Sequence, residues 1–197
     1  MDSVGDARDL ADAGASSDGR VASNAAMAPD VLAPVEVPLC VDLDGTLVRC
    51  DCMVEAGLAV LRREPWLAFA LPVWWARGRA HLKRELAQRA RIDPATLPYD
   101  AAVLDHLRGE HARGRRLVLA TGSDGMIADG VAAHLCLFSE VFASDGLRSL
   151  TGVAKQRALV ERFGEKGFDY VANDVVDLAV WRSARAAVVV DATPALV

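Results

Sequence analysis

Short apolar runs at 38–42, 116–121, 140–143, 168–172 and 186–190 punctuate the chain, and between them apolar positions recur with helical spacing at about 100–113, 124–136, 152–164 and 175–184. Runs this brief read as strands, and the Val-rich continuous ones suit burial on both faces of a sheet. Strands alternating with helices imply right-handed crossovers between parallel neighbours. The predicted fold class is therefore α/β, a doubly wound parallel five-stranded sheet. Ligands of such sheets sit beyond the carboxyl ends of the strands, which directs attention to whatever follows each run.

The interval from Leu47 to Pro98 breaks the rhythm, being too long for one crossover. Pro65 and Pro72 interrupt it, Arg77-Gly78-Arg79 marks a further break, and 79–91 again has a helical pattern. About three helices forming a cap over the sheet edge are expected at about 48–98. Within the interval, Trp66 to Trp75 is nearly all apolar, but ten residues cannot cross a bilayer, which needs about 20. Arg62 to Arg91 holds eight Arg or Lys against Glu64 and Glu85. Such a basic, Trp-rich stretch could make peripheral contact with an anionic membrane or receive an amphipathic phosphate ester. The simpler expectation is a helical subdomain with a Trp core of its own and Arg side chains in water.

Composition narrows the class. At 197 residues, 52% hydrophobic and 25% charged, the chain can bury one ordinary core. The net charge of −5 misleads as an average, because residues 1–33 hold six Asp against Arg8 and Arg20 with almost no large apolar side chain. Residues 1–35 are predicted to be a disordered leader, since burial there cannot offset ordering entropy, and 36–197 to be the folded domain. The leader lacks the basic start and apolar centre of a secretory signal, so a cytoplasmic location is expected. Cys40, Cys50, Cys52 and Cys136 do not have the spacing of a zinc knuckle or redox pair and read as reduced thiols. Basic residues gather only in the cap and no RNA- or DNA-binding module is recognisable, so nucleic acid is not an expected partner.

Candidate chemistry lies where the runs end. Asp42-Leu43-Asp44-Gly45-Thr46 follows the first run directly. In extended backbone Asp42 and Asp44 share a side, Gly45 permits a sharp turn, and a divalent cation would relieve the repulsion of the two carboxylates. An Asp-Gly turn capped by Asp44 is the alternative. The second long run opens into Thr121-Gly122-Ser123, where a hydroxyl and backbone N–H groups could bind phosphoryl oxygens or cap a helix beginning near Asp124. Lys155 stands at a helix start, where the macrodipole disfavours a cation, so an anionic partner is implied. Asn173, Asp174 and Asp177 add oxygen ligands after the fourth run, Asp177 being equally suited to a helix N-terminus.

Over residues 38–191 these four elements, in this order, resemble the haloacid dehalogenase (HAD) superfamily of aspartate-nucleophile phosphohydrolases. The long interval after the first motif resembles that family's C1-type cap, as in phosphoserine-phosphatase-like members. The wording around the motifs, Pro38-Leu39-Cys40-Val41-Asp42, Gly167-Phe168-Asp169-Tyr170-Val171 and Asp177-Leu178 with Val180-Trp181, is similar to the phosphatase-like domain at the N-terminus of some UbiA-type polyprenyltransferases. The chain is then a freestanding relative or the soluble part of something longer. The resemblance implies Mg²⁺-dependent hydrolysis of a phosphomonoester, with Asp42 as nucleophile and Asp44 as acid and base. Thr121, Gly122 and Lys155 would bind the phosphoryl group, and Asp42, Asp44, Asn173 and Asp177 would hold the metal. It implies a small phosphorylated substrate, including prenyl or lipid-linked phosphates, with the alternative of a weakly active accessory module of polyprenyl lipid metabolism. Many relatives carry Gly-Asp where this chain has Ala172-Asn173, which removes a charge from the metal set. Asp174 could replace it only if the strand does not persist through that position, because neighbouring strand residues face opposite ways. Dehalogenation uses the same nucleophile without metal; Asp44, Lys155 and the acidic fourth motif favour phosphate.

Overall fold

The computed structural model describes residues 37–190; residues 1–36, which include the predicted leader, and residues 191–197 lie outside the described residues. In chain order the elements are β1 (Leu39–Val41), α1 (Cys52–Arg63), α2 (Leu71–Ala76), α3 (Arg79–Ala90), α4 (Ala101–Ala112), β2 (Leu117–Asp124), α5 (Gly125–Leu135), β3 (Glu140–Ser144), α6 (Val153–Phe163), β4 (Asp169–Ala172), α7 (Leu178–Ser183) and β5 (Ala187–Val189). All five strands are parallel, in the order β3-β2-β1-β4-β5. The predicted α/β sheet is what the chain forms.

Alternation along the central strands feeds two cores. Leu39, Val41, Leu117, Leu119 and Val171 face one layer, with Leu107 of α4 and Val131 of α5. Cys40, Val118, Ala120, Tyr170 and Ala172 face the other, with Leu159 of α6 and Trp181 of α7. Both faces are covered, which is why these strands are apolar throughout rather than alternately polar. Short polar side chains set several helix starts: Asp51 accepts from Met53 N and Val54 N, Asp100 from Val103 N, and Asp124 from Met126 N.

Two boundaries differ from the sequence expectation. The β2 strand continues to Asp124 through a register shift after Ala120, so Thr121-Gly122-Ser123 is an irregular strand end rather than a loop. The single helix expected over 175–184 is a 3₁₀ turn, Val175–Asp177, followed by α7.

Helices α1, α2 and α3 and a 3₁₀ turn at Pro65–Phe69 occupy the interval after β1. Gly78, at φ 111, supplies the break between α2 and α3 that a side chain would strain. Of the cap tryptophans only Trp74 is buried, so the expected Trp core is a single residue, with Arg89 stacked over its ring at 4.8 Å. Trp66 (62%), Phe69 (86%) and Trp75 (57%) stand exposed. The short, Pro-started segments that carry them turn Leu67, Ala70 and Leu71 to the core and leave these rings outward.

At the opposite edge of the sheet, Asp169 opens β4 buried between Arg185 (2.9 and 2.7 Å) and Arg115, and also accepts from Ala186 N. Burial opposes its charge, but the hydrogen bonds from Arg185 and Arg115 outweigh it and hold the carboxyl below its usual range. A depressed folded value contributes stability above the unfolded value of about 3.9 and loses it as pH falls through the folded one. In urea melts, Asp169→Asn should cost about 2–3 kcal/mol at neutral pH and flatten the loss of stability below about pH 4. Parallel acid limbs in the two proteins would contradict this.

Candidate active site

A cavity of about 230 Å³ opens at the carboxyl ends of β1, β2 and β4. Asp42, the residue after β1, forms its floor. Its Oδ1 accepts from Lys155 Nζ at 2.8 Å, and the same ammonium donates to Asp177 Oδ1 at 3.0 Å and Tyr170 OH at 2.8 Å. Lys155 occupies the first turn of α6 yet is buried, so Asp42 and Asp177 answer both its burial and its unfavourable place on the helix dipole. Burial lowers its pKa, but Asp42 and Asp177 overcome that and raise it. Burial, with Asp177 and Asp44 adding to it, pushes Asp42 up to about 7 against the pull of Lys155. Tyr170 donates to Asp177 Oδ1 at 3.0 Å, and burial beside Asp42 and Asp177 drives its phenol well above the ordinary value.

Asp44 is held from two elements, α1 and β2. Cys52 N, in the first turn of α1, donates to Oδ1 at 2.8 Å, while Ser123 Oγ donates to Oδ2 at 2.6 Å and Thr121 Oγ1 approaches it at 3.5 Å. The carboxylate thus joins the sheet to the cap. Lys83 and Arg84 of α3 repeat the connection, Lys83 Nζ donating to the Gly122 carbonyl and Arg84 pairing with Asp124 at 3.0 Å. Lys83 is buried and lines the cavity, and Arg79, one turn earlier and exposed, lines it too, so part of the basic cap faces the site. Burial lowers the Lys83 ammonium's pKa.

Five of the seven predicted site residues, Asp42, Asp44, Gly122, Lys155 and Asp177, line this cavity. Thr121 and Asn173 are not among its lining residues. Thr121 is fully buried behind them, its Oγ1 accepting from Ser123 N at 3.0 Å, so Gly122 and Ser123 present the strand end. The Asn173 carboxamide accepts from Thr46 Oγ1 at 3.2 Å and packs on Gly45, where a Cβ would come within 2.5 Å of Asn173 Nδ2. Gly45 also has φ +71, so this turn needs glycine both for its backbone and for its neighbour. Because β4 ends at Ala172, strand alternation no longer governs Asp174, and Asp174 lines the cavity in place of Asn173.

Sequence reasoning missed Ser123 as a partner of Asp44, Tyr170 as a bridge, and Arg79 and Lys83 as cap contributions. Only the last had a local signal: two cations at i and i+4 beside Leu82 and Leu86 give α3 a polar stripe next to an apolar one.

The donor set suits Mg²⁺. Five carboxylates, Asp42, Asp44, Asp51, Asp174 and Asp177, line the cavity against Arg79, Lys83 and Lys155, leaving two negative charges in excess. No thiol or imidazole lines it, and a small hard cation prefers oxygen. Among the described residues no three His, Cys, Asp or Glu side chains are already arranged as a metal cage. Mg²⁺ does not need one, since it keeps several waters and is held through one or two carboxylates plus substrate phosphate.

Comparison with solved structures identifies the fold. A HAD family hydrolase of Salmonella enterica serovar Typhi aligns over 83% of this chain and 65% of its own, with a TM-score of 0.63 at 13% identity. A substrate-bound phosphoserine phosphatase aligns over 81% of this chain and 89% of its own, with a TM-score of 0.57 at 16% identity. The fold is that of the HAD-family hydrolases. The HAD fold puts the carboxylates after β1 at the centre of the sheet edge, beneath the helices inserted after them. In sequence, the chain is 35% identical over 155 residues to the uncharacterized protein y4nM of Sinorhizobium fredii, matching 79% of this chain and spanning 30% of that protein. No family model matches. No helix among the described residues is long and apolar enough to cross a membrane, and all four cysteines are free thiols.

Proposed function

We propose that this chain is a Mg²⁺-dependent phosphomonoester hydrolase working through an aspartyl-phosphate on Asp42. The observation that carries the reading is Asp42 itself, fixed through Oδ1 to a buried lysine at the floor of a cavity rimmed by Gly122, Ser123 and cap cations. The likeness to a phosphoserine phosphatase in fold supports it. Asp42 Oδ2 attacks phosphorus, the Asp42 O–P bond forms and the ester O–P bond breaks. Asp44, oriented by Cys52 N and Ser123 Oγ, gives a proton to the leaving alkoxide and then takes one from the water that displaces Asp42 and releases phosphate. Lys155 and the strand end at Gly122 and Ser123 face the charge on the transferring group. Held by Asp42, the Asp44 carbonyl and Asp174, with Asp177 beside them, Mg²⁺ would act as a Lewis acid toward the phosphoryl oxygens. Phosphate release from a generic aryl phosphate, present with Mg²⁺ and absent in Asp42→Asn, tests the activity.

The placement of Asp174 makes the metal assignment testable on its own. By calorimetric titration, Asp174→Asn should weaken Mg²⁺ binding by about 10–100-fold, whereas Asn173→Asp should change it less, since that side chain is engaged with Thr46. The reverse order would return the ligand to Asn173.

A second reading attaches the same site to a longer protein of polyprenyl lipid metabolism, as the UbiA-type resemblance implies. It is supported by the span of only 30% of the Sinorhizobium protein and by exposed Trp66, Phe69 and Trp75 near Arg62, Arg63 and Arg77. Co-sedimentation with anionic vesicles at low salt tests the membrane contact this reading requires, and a protein left in the supernatant removes it.

A further inference from the structure

Helix α3 carries two stripes. Arg79 and Lys83 point into the catalytic cavity; Leu82 and Leu86 line a separate groove of about 480 Å³ in the cap. Met53 and Leu71 complete much of that groove with Trp75, and every residue lining it is apolar or glycine. Polar cavity and apolar groove meet at two places. Met53 lines both, and Arg79, a cavity residue, holds its guanidinium 6.0 Å from the centre of the Trp75 ring, a groove residue. A cap that only closed over a small polar ester would have no need of an apolar channel beginning at its active-site wall.

Resting on the phosphatase reading above, we infer that the substrate is a phosphomonoester with a hydrocarbon tail: the phosphate seats on Asp42, Gly122 and Lys155, and the tail leaves past Met53 into the groove between α1, α2 and α3. The cations at the junction fit this division. Arg79 and Lys83 hold the anionic head at the mouth, and Trp75 offers the first carbons a flat apolar wall.

The test is a series of n-alkyl phosphates from two to eight carbons, each below its micelle concentration, with Mg²⁺. Each methylene buried in the groove should raise kcat/KM by about three- to fourfold. Binding to Asp42→Asn, measured by calorimetry, should follow the same series. Ala68→Glu and Trp75→Ala, both exposed groove positions, should reduce the ratio of octyl to ethyl kcat/KM at least tenfold. Hydrolysis of all members with a flat ratio overturns the inference and leaves the phosphatase reading standing; a flat ratio in a protein that self-associates means a second copy covers the groove. A ratio unmoved by either substitution also overturns it. Failure to hydrolyse any member overturns both.

Discussion

Asp42→Asn should lose about 10⁴–10⁶-fold in turnover of an aryl phosphate while melting at the same temperature as the parent or higher. The activity loss follows because an amide cannot form the acyl-phosphate bond, so the two-step route closes and only binding and electrostatics remain. The stability half follows from burial. Asp42 is a carboxylate kept in a poorly solvated floor, its pKa raised to about 7 by burial with Asp177 and Asp44 close by. An asparagine of the same shape removes that desolvation cost and still accepts from Lys155, whose charge stays paired with Asp177. Steady-state phosphate release and calorimetric melting on the same preparation check both halves. A variant that keeps a tenth of the parent rate would exclude Asp42 as nucleophile, and one that melts far below the parent would make the residue structural instead.

Lys155→Met has the opposite signature. Asp42 and Asp177 both rest on its ammonium, and both are buried. Its removal leaves two adjacent carboxylates without a countercharge, a change of about 3–5 kcal/mol for a broken buried pair. For a domain of this size that lowers Tm by roughly 6–20 °C, with phosphate turnover lost as well. Adding Asp177→Asn to Lys155→Met should restore part of the stability and none of the turnover, because it removes a stranded charge without returning a phosphate ligand. If the double variant is less stable than the single by the full cost of Asp177→Asn alone, the lysine and the carboxylates are energetically independent and this account fails.

Strands, helices and the Asp42 motif were legible because their signals are local. Apolar runs a few residues long, Asp100 and Asp124 ahead of helical patterns, and Gly45 after two carboxylates can each be read within a window of ten residues. The contacts that complete the site are not of that kind. Ser123 reaches Asp44 across 79 residues and Lys83 reaches the Gly122 carbonyl across 39. Tyr170 sits inside an apolar run and shows nothing in sequence of its hydroxyl between Lys155 and Asp177. The role of Asp174 turned on where the fourth strand ends, which the sequence leaves open: strand alternation holds only while the strand lasts, and β4 stops at Ala172. The cap tryptophans were read as core because tryptophan is usually covered, but segments as short as α2 bury one and leave its neighbour exposed.

The lysine that ties α6 to β1 spans 113 residues, and the Thr46 to Asn173 contact spans 127. Closing loops of that length is slow and comes after local helix formation. These two contacts should therefore be missing from a nascent or early refolding chain even where the local Asp44 to Cys52 contact has formed. During refolding, helical signal should return first and turnover last, so enzymatic activity reports the completed sheet and not its parts.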